Sequence, residues 1–354
     1  MHVLHDIAEM SVLAGPLHLA IGVFDGVHLG HRAVIGAALE AARREGGSGL
    51  VVTFDPHPAR VLAPERAPRL LTTTRHKLRV LERLGVPETL VIRFDRAFAA
   101  LTGEKFIGLL LANAPGIASV SVGENWAFGR NRRGSVPLLR RLGAEHGFFV
   151  SAVGEVMLDS AVVSSTEVRR AVQAGDFARA GLLLGRPYTV WGTVAPGDGL
   201  GRTLGVPTAN LEVACEQLPP SGVYAVRVEC QGRGYKGVAN LGYRPSLGRE
   251  DQERRLEVHV FDFSGDLYGQ EIEVDFYRFL RPEHRFASFV ELRAQIARDI
   301  EEARAVLGEE GAGPAAPATA SAQDRPVSPW SMSLRQANLL RRKSRRGVRR
   351  SRRG

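Results

Sequence analysis

The chain has few cysteines and no long apolar run. Only Cys215 and Cys230 occur among 354 residues, too few for a disulfide framework and typical of a reducing cytosol. No uninterrupted apolar run approaches the roughly 20 residues that span a bilayer, and the N-terminus lacks the pattern of a secretory signal. These absences predict a cytoplasmic protein without membrane segments. The length suggests two domains, each large enough to bury its own core.

The net charge of +9 is concentrated at the C-terminal end. Residues 331–354 contain ten Lys or Arg and no acid, so the rest of the chain would carry −1. From Gly308 onward the composition offers too little apolar surface to offset the entropy of ordering. We therefore expect residues 308–354 to form a disordered, Arg-rich tail. Such a tail could contact nucleic-acid phosphates in a salt-dependent manner, although the folded region shows no known nucleic-acid recognition motif.

Alternating apolar segments predict an α/β architecture in the first half. A strand is expected over 17–23, a helix ending at Gly46, and a second strand over 49–54. Strand, helix and strand within about 40 residues make a βαβ unit, which implies a parallel sheet. The pattern continues with helices over 77–84 and 103–112 and strands over 89–93 and 117–122.

The second half is β-rich. Short alternating segments separated by Gly, Pro and Asp predict an antiparallel barrel. A final helix over 289–307 has apolar residues at helical spacing and can pack across the barrel. We place the boundary at Gly185–Pro187, which gives domains 1–186 and 187–307. The expected strands cover 188–194, 222–229, 235–241, 256–261 and 270–279.

Two histidines follow the first predicted strand, in the segment 22–31. His28 and His31 are three residues apart and should point from one face of the first helical turn. Exposed amides and the helix dipole attract an anion there. Two imidazoles can hydrogen-bond a phosphate as charge moves onto a leaving pyrophosphate, whereas the alternative is two surface histidines without a role. The expected nucleotide-binding residues of this segment are Gly22, Phe24, Asp25 and Gly30.

A second junction carries three hydroxyl residues before a helix. Ser164, Ser165 and Thr166 precede Arg169 by a few positions. Taken alone, the segment is equally well explained as a helix N-cap. Beside the histidine segment it becomes a second anion cradle, in which Arg169 or Arg170 neutralises triphosphate charge.

A glycine-rich loop runs from Gly197 to Asn210. Gly201 and Gly205 would let it close over nucleotide phosphates, and the Thr208 hydroxyl and Asn210 carbonyl offer two hard oxygen ligands to Mg²⁺. The loop lacks the Gly-Lys-Ser/Thr ending of a Walker A motif, so a different kind of phosphate site is expected.

Together with the segments Thr53–Pro58 and Gly123–Gly129, these motifs resemble the prokaryotic bifunctional riboflavin kinase/FMN adenylyltransferase family over residues 17–307. The resemblance implies a Rossmann-like nucleotidyltransferase domain followed by an antiparallel β-barrel riboflavin kinase domain. It also implies two reactions that use ATP with Mg²⁺. Riboflavin is phosphorylated to FMN, and FMN is adenylylated to FAD with release of pyrophosphate.

The resemblance further implies roles for individual residues. Thr208 and Asn210 hold Mg-ATP. Glu257, in the strand Leu256–Val260, accepts the proton of the riboflavin 5′-hydroxyl as that oxygen attacks the γ-phosphate. Asn125 lies near the nucleotide or flavin in adenylyl transfer, where an FMN phosphate oxygen attacks the α-phosphorus without a covalent intermediate.

Two departures from the family pattern affect turns. Tyr243 replaces the usual Thr in the turn 240–246, and Asn131 replaces a common Gly, although Asn tolerates positive φ better than most residues. Three other functions stay open: a kinase with a non-functional first domain, a nucleic-acid binder acting through the tail, and a non-catalytic flavin carrier. The histidine segment argues against the first, and Glu257 would be unexplained by the last. A homo-oligomer is possible.

Overall fold

The computed structural model describes residues 1–114, 116–197, 201, 205–213, 217–243 and 254–308. The expected tail beyond Gly308, Cys215, parts of the glycine-rich loop and the end of the turn after Tyr243 lie outside the described residues. Within the described ranges, no helix is both long enough and apolar enough to cross a membrane.

A parallel sheet organises the first half. Its strands run in the order β1-β4-β3-β2-β5-β8, and each neighbouring pair is parallel, which confirms the predicted α/β architecture. Two short hairpins, β6 with β7 and β9 with β10, lie outside this sheet. The strands are β1 (His2–Leu4), β2 (Leu17–Ile21), β3 (Ser48–Asp55), β4 (Glu88–Arg93), β5 (Ile117–Gly123), β6 (Ala127–Phe128), β7 (Gly134–Ser135), β8 (Phe149–Val153), β9 (Met157–Leu158) and β10 (Ala161–Val162).

Helices cover both faces of the sheet. Leu19 and Ile21 of β2 pack into a cluster with Phe106 and Leu139, whereas Ala20 packs on the opposite side with Ile35. A strand buried on both faces is expected in a parallel sheet, because its crossover helices cover both sides. The helices are α1 (Leu29–Glu45), α2 (Pro58–Leu62), α3 (Thr74–Arg83), α4 (Arg96–Ala99), α5 (Gly103–Asn113), α6 (Val136–His146), α7 (Ser165–Gln173) and α8 (Phe177–Leu184).

The strand order reverses at β2. From β2 the chain builds outward through β3 and β4, and then returns to place β5 on the other side of β2. In open α/β sheets, ligands bind in the crevice outside the carboxyl ends of the strands at such a reversal. The loops that follow β2 and β5 are therefore the expected position of a binding site.

The second half is a closed six-stranded antiparallel barrel, as predicted, with the order β11-β12-β15-β14-β13-β16. β12 was not predicted as a strand, because its first residues belong to the Pro-Thr-Ala-Asn segment. The final helix, α9, has the predicted bounds, and its Ala303 and Leu307 pack against Val223 and Val238. The elements are β11 (Tyr188–Ala195), β12 (Ala209–Val213), β13 (Gly222–Cys230), β14 (Arg233–Tyr243), β15 (Arg254–Val260), β16 (Glu271–Arg281) and α9 (Phe289–Leu307).

The two halves share an extensive contact. On one side, Phe177 of α8 stacks on Phe276 inside the barrel, with ring centroids 5.4 Å apart. On the other side, α3 lies along the outer surface of the barrel. There Arg79 and Arg83 pair with the buried carboxylate of Glu273 at 3.0 and 2.6 Å. The contact therefore combines an apolar core with ion pairs.

Candidate active sites

The first candidate site begins with the loop between β2 and α1. Phe24 and Val27 have positive φ angles of 51° and 43°, so the loop turns sharply. A Cβ on Gly22 would lie 2.7 Å from the ring of Phe24, so a side chain at this position would not fit. Gly30 is similarly confined, because its Cβ would lie 3.3 Å from the carbonyl of Val163. The loop is therefore compact and packs close to the start of α1.

The two histidines lie together at the N-terminus of α1. Nδ1 of His28, the N-cap residue, accepts a hydrogen bond from the His31 amide at 3.3 Å. The rings stack with centroids 3.6 Å apart and planes inclined by 20°, in agreement with the prediction that they share one face. Because Nδ1 of His28 accepts, the proton of the neutral ring is on Nε2, which is a donor for a ligand.

Both histidines are neutral near pH 7. Burial, together with repulsion from Arg186 and Arg169, lowers the pKa of His28 to about 4. Burial also lowers the pKa of His31 well below its ordinary value, and the nearby cations Lys77 and Arg169 add to the effect. Nδ1 of His31 is buried and has no hydrogen-bond partner among the described residues. The rings therefore act through hydrogen bonds, and the positive charge of this site comes from the surrounding Lys and Arg side chains.

The segment 164–166 contacts the loop between β2 and α1, which we call the histidine loop because it leads to His28 and His31. Ser164 is the N-cap of α7 and accepts from the amide of Glu167 at 3.3 Å, whereas the hydroxyl of Ser165 donates to the carbonyl of Asp25 at 3.0 Å. Thr166 is exposed in the first turn of α7. Ser164 therefore caps α7, and Ser165 connects the same segment to the histidine loop.

Asp25 holds three segments together. Its buried carboxylate accepts from the amides of Leu71 and Thr72 at 3.0 and 3.1 Å and pairs with the guanidinium of Arg169. Nε of Arg169 also donates to the carbonyl of Arg69 at 2.7 Å. Asp25 therefore fixes Arg169 beside the loop.

Lys77 was missed as a site residue by the sequence analysis. Its ammonium group donates to the carbonyl of Val23 at 3.1 Å and to the hydroxyl of Thr53 at 2.9 Å, at the carboxyl ends of β2 and β3. Burial lowers the pKa of Lys77 to about 8, against the opposing effect of nearby carboxylates. A sequence signal existed, because Lys77 precedes the inward-facing Val80 and Leu81 by three and four residues.

Asn125 lies at the same edge of the sheet, after β5. Its amide donates to Glu155 at 3.0 Å, and not to the two histidines. The next residue, Trp126, stacks on Phe128 with centroids 4.3 Å apart. Asn131 has a φ of 57°, so this departure from the family pattern keeps the left-handed conformation that glycine adopts readily.

The second candidate site is on the outer surface of the barrel. Asn210 of β12 is directly opposite Glu257 of β15, which in turn is opposite Asn240 of β14. The residues on both sides of Glu257, Leu256 and Val258, are buried inside the barrel, so the half-buried carboxylate points outward. The antiparallel register thus aligns an amide, a carboxylate and a second amide across three strands.

Two described glycines of the glycine-rich segment, Gly197 and Gly201, lie close to Asn210 and Thr208. A Cβ on Gly201 would lie 3.0 Å from the hydroxyl of Thr208, and one on Gly197 would overlap the amide of Asn210. Gly205, with a φ of +78°, has open space around it. Because glycine has no side chain, a cradle is left beside the hydroxyl of Thr208 and the amide group of Asn210. Hard oxygen donors and room for phosphates and water suit Mg²⁺, so these residues fit the expected ion.

Glu283 is a further residue that the sequence analysis missed. Its carboxylate accepts from Nδ2 of Asn240 at 3.3 Å and lies beside Gly242, where any side chain would collide with it. Tyr243, the second departure from the family pattern, is half exposed, and the guanidinium of Arg254 lies 5.7 Å from its ring centre. Residues 244–246 of this turn lie outside the described residues.

Both sites suit nucleotide phosphates, one at the carboxyl edge of a parallel sheet and the other beside a glycine-rich loop on a barrel. Together they define a two-domain, nucleotide-dependent transferase. The family model described as FAD synthetase matches residues 13–167, and the one described as riboflavin kinase matches residues 184–307. The chain therefore belongs to the bifunctional riboflavin kinase/FMN adenylyltransferase family, which confirms the resemblance seen in the sequence.

Individual relatives agree with this membership. A bifunctional riboflavin kinase/FMN adenylyltransferase of Escherichia coli strain K12 is 43% identical over 293 residues, which cover 82% of this chain and 92% of the relative. The protein of the same name from Bacillus subtilis strain 168 is 36% identical over 289 residues, or 80% and 90% of the two chains.

A solved structure supports the two-domain fold. A crystal structure from Streptococcus pneumoniae, described as a macrolide-efflux protein, matches with a TM-score of 0.73 and 29% identity. The match covers 84% of this chain and 97% of that chain. Both the parallel α/β half and the barrel therefore lie within the matched length.

Proposed function

We propose that the histidine site adenylylates FMN to FAD, and that the barrel site phosphorylates riboflavin to FMN, so that one chain completes flavin-cofactor synthesis. ATP is the co-substrate of both reactions. The observation that supports this assignment most is that each of the two regions matched by the family models contains one candidate phosphate site. We place the domain boundary between 186 and 187, since α8 ends at Leu184 with Gly185 as its left-handed C-cap, and β11 begins at Tyr188.

Adenylyl transfer requires orientation and charge stabilisation. An FMN phosphate oxygen attacks the α-phosphorus of ATP, and negative charge develops on the leaving pyrophosphate. His28 and His31 stabilise that charge by hydrogen bonds, and Arg169 and Lys77 stabilise it as cations. The amides at the start of α1 add to this cradle. The shape of the loop depends on Gly22, Phe24, Asp25 and Gly30, the second cradle on Ser164, Ser165 and Thr166, and the flavin or nucleotide contact on Asn125.

Riboflavin phosphorylation uses the row of side chains on the barrel. Glu257 accepts the proton of the 5′-hydroxyl as that oxygen attacks the γ-phosphate. Thr208 and Asn210 would hold Mg²⁺, which when bound neutralises phosphate charge. Gly201 and Gly205 let the loop backbone approach the phosphates. Glu283, through its hydrogen bond with Asn240, helps to order the end of the row.

Other features stay predictions. The cytoplasmic location rests on the low cysteine content, and contact of the basic tail with nucleic acid rests on its charge. Homo-oligomer formation is likewise untested.

Two substitutions separate the reactions. Glu257→Gln should abolish FMN formation from riboflavin but keep FAD formation from FMN, with a loss of about 10²- to 10⁴-fold in the first rate. His28→Asn should have the reverse effect, because Asn still caps α1 but lacks the imidazole donor. Chromatography of products from riboflavin or FMN with ATP and Mg²⁺ measures both.

Matched controls are available on the same elements or far from either site. Glu212→Gln changes an exposed carboxylate on β12, and His146→Gln changes an exposed histidine at the end of α6. Both should keep the two activities. The assignment would be wrong if Glu257→Gln kept the kinase rate, or if His28→Asn formed FAD as fast as the unaltered chain.

A further inference from the structure

An arginine between the two domains reaches back to the histidine loop. Arg186 lies between α8 and β11, and its Nη2 donates to the carbonyl of Gly26 at 3.0 Å. In the opposite direction, Nη1 of Arg32, the residue after His31, donates to the carbonyl of Gly185 at 3.2 Å. Two reciprocal contacts therefore join the interdomain connector to the segment that carries both histidines.

Two nitrogen atoms of the Arg186 guanidinium make no hydrogen bond to the described residues. Its Nε and Nη1 atoms are buried and have no hydrogen-bond partner among the described residues. A guanidinium group carries five N–H donors, and leaving some of them buried and unpaired costs free energy. That cost is offset if these donors face an anion or ordered water next to the histidine site. The charge is also close to His28, because Arg186 is the largest electrostatic contributor to the lowered pKa of that histidine.

Carboxylates of the barrel favour the charged form of Arg186. Burial lowers the pKa of Arg186 to about 10, and the carboxylates of Asp275 and Glu273 on β16 oppose this effect, so the side chain is a cation at pH 7. Asp275 accepts from the hydroxyl of Thr189 at 2.6 Å. Glu273 pairs with Arg83 of α3. Arg186 is therefore a cation that donates to the histidine loop and lies two residues before β11, the first strand of the barrel.

We propose that Arg186 is a positioning residue of the adenylyl-transfer site, which fixes the Gly26 carbonyl and hence His28, and makes FAD formation depend on the docked barrel. The match to the FAD synthetase family ends at residue 167, and Arg186 falls within the match to riboflavin kinase. A residue outside the FAD synthetase match, next to the domain boundary, therefore completes the adenylyl-transfer site. The proposal rests on the assignment of FMN adenylylation to the histidine site.

The test uses the full chain and its two activities. Arg186→Met should lower kcat for FAD formation by about 10- to 100-fold, the size expected when a reacting group is displaced by about 1 Å. KM for ATP should change far less, and riboflavin phosphorylation by the same preparation should stay near the unaltered rate. Arg186→Lys keeps the positive charge and should recover part of the loss. Arg179→Met is the matched control, because among the described residues the guanidinium of this α8 arginine bonds to Asp159 and the Leu158 carbonyl.

A spectroscopic measurement separates positioning from folding. The titration of the His28 ring, followed by NMR and assigned by its absence in His28→Asn, should shift to higher pH in Arg186→Met, because a repelling cation has been removed. In Arg186→Lys it should stay close to the unaltered chain. If Arg186→Met does not fold, Arg186→Lys carries the test, with FAD formation below and kinase activity equal to those of the unaltered chain.

Three results would overturn the proposal: an unchanged kcat for FAD formation in Arg186→Met, an unchanged His28 titration, or a parallel loss of both activities. If Arg186→Met does not fold, FAD formation at the unaltered rate in Arg186→Lys would also overturn the proposal. A different result would show that FMN adenylylation does not take place at the histidine site: His28→Asn itself would form FAD at the unaltered rate.

Discussion

Replacing His76 should reduce the loss of stability that the protein suffers in mild acid. His76 of α3 is 2% exposed, and its ring centre lies 6.3 Å from that of Trp191 on the barrel. Neither ring nitrogen has a hydrogen-bond partner among the described residues. Burial, together with the charges of Arg186, Arg83 and Arg79, lowers the pKa of His76 to about 3. The folded protein therefore keeps this ring neutral at pH 5, whereas the unfolded chain protonates it near its ordinary value of 6.5.

Linkage gives the sign and the size of the effect. Because the folded pKa lies below the unfolded one, the stability is complete above pH 6.5 and is lost as pH falls from 6.5 towards 3. Each pH unit in that window costs about 1.4 kcal/mol, so lowering the pH from 7 to 5 should cost about 2 kcal/mol through His76.

The assay is urea unfolding at pH 7 and pH 5. His76→Asn should lose about 2 kcal/mol less free energy of unfolding between the two pH values than the unaltered chain does. His146→Gln, which removes an exposed histidine of α6, should behave like the unaltered chain. Other buried groups, including His28 and Asp275, contribute equally to all three proteins and cancel in the comparison. If His76→Asn lost as much stability as the unaltered chain, His76 would not be held neutral by the interface.

Two further substitutions test the histidine loop. Gly26→Ala places a Cβ 2.7 Å from Leu71 at a φ of +80°, whereas Gly46→Ala has a similar φ of +74° and open space. Urea unfolding should therefore show a cost of about 1–2 kcal/mol for Gly46→Ala and about 1–3 kcal/mol more for Gly26→Ala, and equal costs would refute the clash. Lys77→Met should slow FAD formation at pH 7 and leave riboflavin phosphorylation unchanged, because it removes a cation from the histidine site. In the unaltered chain the rate of FAD formation should fall as the pH rises above about 8, where Lys77 loses its proton. The measurement is a pH–rate profile of FAD formation for both proteins. An unchanged rate in Lys77→Met would exclude a role of Lys77 in FAD formation.

The elements that local patterns specify were predictable. The helix over 289–307 has the predicted bounds because its apolar spacing and the capping residue Ser288 act within one segment. β12 was missed because Thr208 and Pro207 look like loop residues, and only pairing with β11 and β15 makes the next five residues a strand. Pairing across the barrel is a tertiary effect, which single-segment patterns do not contain.

The candidate sites show the same limit. That His28 and His31 lie on one side of the first turn of α1 was predictable from their three-residue spacing, whereas the stacking of their rings also depends on the extended backbone of His28 at the N-cap. Asp25 lies in the predicted loop, and its nucleotide-binding role stays a prediction, but its partners Leu71 and Thr72 lie 46 and 47 residues away. Arg186 was not singled out, because its interaction with Gly26 spans 160 residues and depends on how the domains dock. Contacts of such separation are set by packing, and no local pattern records them.

The role of α3 explains why the two domains form one working unit. Arg75 and Arg79 are each two residues from Lys77, so on a helix they point to the opposite side from it. Both arginines lie over the ring of Trp191 on the barrel, whereas Lys77 donates to Val23 in the loop after β2 and to Thr53 near the end of β3. Because one rigid helix carries both surfaces, a shift of the barrel relative to α3 must either break the ion pairs with Glu273 or move Lys77 within the adenylyl-transfer site. Arg186 adds a second connection of the same kind. If the histidine site transfers the adenylyl group as proposed, the outer surface of the barrel therefore helps to set the geometry of that site.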